Sequence, residues 1–166
     1  SEWRQRPYLG KMCPQRQFRG TTMKSDPDAL YPDHLVELRM RMDRALAAHG
    51  FDGVAIYSGS AGFAFLDDHS YPFRTNPHFK PGAPLPHLQQ RLVGYVPGRK
   101  PVLCFHQPAD YWHKPPALPS GSWLGEFNLE VLRDADRARE LLGLHGRRIA
   151  FIGEWQARFA DWGFAA

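Results

Sequence analysis

The sequence predicts an α/β fold, a mixed β-sheet flanked by helices, and three observations carry that prediction. Short apolar runs bounded by turn residues recur at residues 54–57, 91–95, 101–105, 129–132 and 147–152, the pattern of buried strands. Stretches with helical apolar spacing alternate with them, at 31–49 and 134–142, and alternation of this kind builds a layered α/β domain. Two of the runs are separated only by a tight Pro-Gly turn, so one antiparallel hairpin makes the sheet mixed.

Each element has a local cause. From Tyr31 to His49, Leu35, Leu38, Met42, Ala45 and Leu46 fall on one helical stripe. Pro32 suits a first helical position, Asp33 and Glu37 favour the positive end, and Gly50 supplies the stop. Phe51, Asp52 and Gly53 then turn the chain into the apolar run VAIY. After the Pro-rich residues 80–86, RLVGY and PVLCF flank the turn PGRK and predict the hairpin. Residues 107–125 hold six glycines and prolines and read as a loop, with Trp112 and Trp123 pinning it to something apolar. Leu129 to Leu132 predicts a strand, Asp134 a helix cap, Leu142 that helix's end, and 147–152 a last strand closed by Gly153. A helix is expected to begin within 154–159. The chain shows no internal repeat and no low-complexity tract.

At 166 residues with 43% hydrophobic composition, the chain fits one domain with a real core. The net charge of +4 has a local origin. Arg4, Arg6, Lys11, Arg16 and Arg19 face only Glu2 in residues 1–22, whereas 16 basic residues meet 16 acidic ones from Met23 onward. Residues 1–22 therefore read as a basic, poorly ordered leader, and 23–166 as the folded domain. A neutral body lacks the electrostatic stripe that nucleic acid requires, which excludes general nucleic-acid binding. The two cysteines, Cys13 and Cys104, make no disulfide framework, and Cys104 lies within an apolar run where a thiol packs as a small hydrophobe. No stretch reaches the ~18 consecutive apolar residues of a membrane helix, and no apolar signal segment opens the chain. The cytoplasm is the expected compartment, without membrane partners.

The richest chemistry lies in FLDDHSYPFRTNPHF, residues 65–79. Asp67, Asp68, His69 and His78 are all ligand types, but neighbours on an extended chain point to opposite sides, so the paired aspartates are poorly placed to share one ion. One of them is expected to cap local backbone amides. The HExxH and His-x-His spacings of metal sites are absent, as are a Gly-x-Ser-x-Gly elbow and a complete phosphate loop at YSGSAG. No catalytic constellation and no metal site is expected in this chain, and hence no cofactor. The remaining signal is aromatic. Tyr71, Phe73, Phe79, Tyr111 and Trp112 occupy Pro-rich loops rather than periodic elements, which predicts an interface loop. The alternative is a satellite cluster in which these loops cover one another.

The blocks YPDHLVELRMRMDRAL, FDGVAIYSG, FLDDHSYPFRTNPHF, PADYWH and RIAFIGE, in that order and spacing, resemble the N-terminal domain of bacterial Xaa-Pro dipeptidase (prolidase). The likeness covers about residues 30–155, and the FLDD and DYWH blocks are its most distinctive parts. It implies a creatinase-type N-terminal fold, a mixed sheet flanked by helices. It also implies that catalysis lies in a C-terminal pita-bread domain, where two divalent metal ions, usually manganese, sit on Asp, His and Glu side chains and activate a hydroxide. No residue of this chain matches those ligand motifs, so the chain is expected to be non-catalytic alone and to hold only the N-terminal part of such an enzyme. The resemblance further implies a homodimer in which the FLDD loop approaches the partner subunit's active site. Asp68 then borders the dipeptide, attracting its α-ammonium or holding basic groups of the pocket, while Asp67 is the structural member of the pair. The alternative function is a free-standing α/β module for a small molecule or a protein, which kept the fold without the enzyme.

Overall fold

The computed structural model describes residues 26–62, 65–66, 69–107, 116–133, 137–161 and 164. The leader 1–22, and with it the expected leader boundary, lies outside these residues.

Helix α1 spans Pro27–His49. Its start differs from the sequence expectation. The Asp26 carboxylate caps the helix by accepting the Asp28 N–H at 3.1 Å, and Pro27 takes the first turn, where its missing N–H costs nothing. Pro32 therefore stands inside the helix, beyond its first turn. At the other end Gly50 adopts φ 67°, and its N–H and that of Phe51 close on the last carbonyls.

The strands are β1 (Gly53–Tyr57), β2 (Arg91–Tyr95), β3 (Val102–His106), β4 (Asn128–Leu132) and β5 (Ile149–Ile152), in the spatial order β4-β3-β2-β1-β5. The expected hairpin is β2 and β3, antiparallel with Leu92 opposite Cys104; β1 pairs antiparallel with β2, whereas β1–β5 and β3–β4 are parallel. The sheet is thus mixed, as the sequence predicted. A 3-10 helix at Ser122–Glu126 precedes β4. Helices α2 (Ala138–Leu141) and α3 (Arg158–Asp161) are short; α2 covers only the end of the expected 134–142 helix, and Asp134 lies outside the described residues.

Period-two alternation sends side chains to two faces, each with its own core. On one face α1 presents Leu35 and Leu46 to Val54, Ile56, Val93, Tyr95 and Leu103, joined by Phe79, Ala83, Leu85 and Phe127. Leu38 and Met42 are only partly buried there, and Ala45, included in the expected stripe, is exposed. On the other face Ala55, Tyr57, Leu92 and Cys104 meet Ala138, Leu142, Leu144, Phe159 and Phe164. Tyr57 packs edge to face against Phe159 there, their ring centroids 5.0 Å apart. Cys104 is buried as expected, and burial pushes its thiol up to about 12. Among the described residues no helix is long and apolar enough to cross a membrane.

Candidate functional site

The topology decides where chemistry can gather. Because β1, β3, β4 and β5 run in one direction and β2 in the other, the carboxyl ends of four strands share one end of the sheet. The loops leaving them, together with residues 58–90 that join β1 to β2, converge at that end. In open α/β sheets this is where ligands and partners are met.

The loop after β1 is tied down by polar contacts rather than by secondary structure. Asn76 donates its Nδ2 to the Tyr57 carbonyl at 3.1 Å, its backbone N–H meets the Ser58 carbonyl at 2.9 Å, and its Oδ1 accepts the His78 N–H at 2.9 Å. Gln89 Oε1 accepts the Ala61 N–H at 2.8 Å, and Tyr71 N–H donates to the Gly62 carbonyl at 2.8 Å. Thr75 Oγ1 donates to the Pro86 carbonyl at 2.6 Å, which joins the outgoing and returning arms. Beyond this base the apolar side chains are exposed: Phe65 89%, Leu66 91% and Tyr71 61%. Leu66 also holds φ 56°, a left-handed backbone that a bulky side chain adopts only at a cost.

Electrostatically this end is polar and partly desolvated. Gln156 Nε2 donates to Ser60 Oγ at 2.9 Å, and Ser60 Oγ lies 3.5 Å from a Glu154 carboxylate oxygen, so the ends of β1 and β5 share one network. His106 Nδ1 meets Gln90 Oε1 at 3.0 Å. Arg91, at the start of β2, is buried beneath the loop with its guanidinium 3.9 Å from the Phe105 ring centroid. Burial lowers its pKa to about 10, and among the described residues its Nε has no hydrogen-bond partner. Alongside, Phe73, Arg74, Thr75, Pro77, Lys80, Pro86 and His87 line an open groove of about 590 Å³.

The residues singled out from sequence fall in three places. Tyr71 and the half-buried Phe73 are surface residues of this loop. Phe79 is a correction: it is 1% exposed and belongs to the core against α1, so it offers no interface. The loop folds back over that face, with Tyr31 Oη donating to the Gly82 carbonyl at 2.6 Å, and this buries a ring that local sequence places in a loop. Asp67, Asp68, Tyr111 and Trp112 lie outside the described residues. Sequence reasoning missed Asn76, Gln89, Gln90 and Arg91; the asparagine before Pro77 was the one local signal, since Asn-Pro initiates turns. Among the described residues no three His, Cys, Asp or Glu side chains are grouped so as to hold a metal.

Comparison with known proteins agrees with this architecture. The family model described as "Xaa-Pro dipeptidase, N-terminal domain" matches residues 29–166. A Xaa-Pro dipeptidase of Stenotrophomonas maltophilia (strain K279a) is 39% identical over 140 residues, covering 84% of this chain and 32% of the relative. Those of Xanthomonas axonopodis pv. citri (strain 306) and Xanthomonas campestris pv. campestris (strain B100) are 40% and 41% identical, over 76% and 75% of this chain and 29% and 28% of theirs. The chain therefore spans about a third of the length of the curated relatives it matches. With the match extending from α1 to the end of the chain, the protein belongs to the Xaa-Pro dipeptidase N-terminal domain family.

Proposed function

We propose that this domain serves a Xaa-Pro dipeptidase as its dimerisation and substrate-gating part, and that the hydrolytic chemistry belongs to polypeptide outside it. The observation that supports the reading is the long loop between β1 and β2. It is anchored at the carboxyl end of β1 by Asn76 and Gln89, and it projects the exposed Phe65, Leu66 and Tyr71. Large side chains held on a fixed base lose little entropy on docking. In this reading the surface they meet is a second subunit of a homodimer, close to its bound dipeptide, and Tyr111 and Trp112 extend the contact. Asp68, carried by the same loop, faces the dipeptide's α-ammonium or a cation of the pocket, because a carboxylate at a closed site requires a counter-charge. In this reading the full-length enzyme would hold two divalent ions, manganese by preference, which would supply an activated hydroxide at neutral pH. The cytoplasm is the proposed compartment.

Assays of the purified chain with Gly-Pro and Leu-Pro, with and without added manganese, test this division of labour. No hydrolysis above the metal-only blank is expected. Turnover that follows the purified protein and disappears on its denaturation would overturn the reading.

A further inference from the structure

We propose that Asn76 is a positioning residue that fixes the direction in which Phe65, Leu66 and Tyr71 are presented; this rests on the reading that their loop meets the dipeptide site. Asn76 works at a junction of three segments. Its Nδ2 engages the last carbonyl of β1, on Tyr57, and its backbone N–H the next one, on Ser58, while its Oδ1 and carbonyl organise the turn that runs into Phe79 and Lys80. The core residue Phe79 therefore anchors one side of the asparagine and the sheet the other. The outgoing arm is bound to the same junction, because Gly59 accepts the Gln90 N–H at 2.9 Å and Gln89 holds Ala61. The third segment is the exit of β5. Gly153 has φ 149°, and a Cβ there would stand 2.8 Å from Tyr57 Cβ, 3.2 Å from the Tyr57 carbonyl oxygen and 3.5 Å from Asn76 Nδ2. Only glycine lets the chain leave β5 this close to Tyr57, whose carbonyl accepts from Asn76.

The two halves of the asparagine side chain can be separated experimentally. Asn76→Asp keeps an oxygen for the His78 N–H but replaces the donor to Tyr57 with a second acceptor. If Asn76 only forms its local turn, Asn76→Asp behaves as wild type. If it positions the loop, amide exchange at Tyr71 and Ala61 accelerates by about five- to tenfold, the loss of one hydrogen bond. The His78 amide and strand amides such as Val93 keep their protection. Gly153→Ala, which crowds the same carbonyl and Asn76 Nδ2 from the exit of β5, produces the same acceleration. Unchanged exchange at Tyr71 and Ala61 in Asn76→Asp would overturn the proposal. In a longer polypeptide that hydrolyses Xaa-Pro dipeptides, Asn76→Asp is expected to raise KM with little change in kcat and none in metal content. An unaltered KM beside accelerated exchange would also overturn the positioning role. A wild-type longer polypeptide without Xaa-Pro hydrolysis would instead refute the proposed function, and the exchange data would then describe a clamp for another partner.

Discussion

Replacing Phe79 with alanine separates a core residue from an interface residue within a single chain. The ring is 1% exposed and packs in the cluster of Leu35, Val93 and Tyr95 between α1 and the sheet. It also lines a void of about 60 Å³ that Leu38, Met42, Ile56 and Phe127 share. That pocket is partly open, so the volume that counts against stability is the space the ring itself vacates. Removing the ring enlarges it, because the Tyr31–Gly82 hydrogen bond and the Thr75–Pro86 clamp hold the covering loop in place and limit collapse. The cost therefore belongs at the upper end of the range for Phe→Ala, about 4–5 kcal/mol. For a chain of this size each 1 kcal/mol moves the melting midpoint by roughly 2–4 °C, so the midpoint should fall by about 8–20 °C. Urea unfolding of the isolated chain, with m compared between variants, gives the same quantity independently. A loss below about 0.5 kcal/mol, the value for a surface substitution, would return Phe79 to the interface and refute the packing described here.

Three further outcomes are expected. Above pH 9 the fold should weaken, because burial raises Cys104 from 9.0, and Tyr31 and Tyr95 from 10.0, to about 12. The unfolded chain then loses these protons first, and stability is lost as pH rises through that window. Arg91 acts oppositely: its depressed value, about 10 against 12.5, returns stability above pH 10, so the Cys104→Ala variant should flatten the decline most clearly between pH 9 and 10, in denaturant midpoints measured against pH. Gly94→Ala should cost about 1–3 kcal/mol by overpacking, since its Cβ would lie 2.6 Å from Leu142 Cδ2, and a double-mutant cycle with Leu142→Ala should recover part of the loss. Leu46→Ala, at 5% exposure, should cost about 2–5 kcal/mol, and Leu38→Ala less, because that side chain is only partly buried; equal costs would contradict the orientation assigned to α1.

The sequence disclosed the strands more fully than the helix ends or the loop. VAIY, the hairpin around PGRK, and the runs at 129–132 and 147–152 are short, largely apolar and set close to turn residues, so local pattern and tertiary burial agree. Helix α1 begins earlier than expected because two prolines compete for its first turn; the Asp26 cap decides for Pro27 over Pro32. Ala45 lies on the expected stripe yet faces solvent, a distinction too fine for small residues at helix spacing. Phe79 shows the larger limit. Its burial depends on residues 75–86 folding back onto α1 through Thr75–Pro86 and Tyr31–Gly82, contacts between side chains and distant carbonyls that leave no periodic trace. The same holds at the candidate site, where Asn76, Gln89 and Gln90 act through backbone carbonyls and amides brought near only by the fold. The FLDD and DYWH blocks were legible because they are distinctive as strings, whereas the junction that supports the first of them is legible only in three dimensions.

The central claim is that the loop after β1 acts on a Xaa-Pro dipeptide without ligating metal, and steady-state kinetics of Asp68→Asn in the longer polypeptide address it most directly. With Gly-Pro and Leu-Pro as substrates, kcat/KM should fall while bound metal and melting midpoint stay at wild-type values. Unchanged kcat/KM, or a loss of activity that follows a loss of bound metal, would contradict the account.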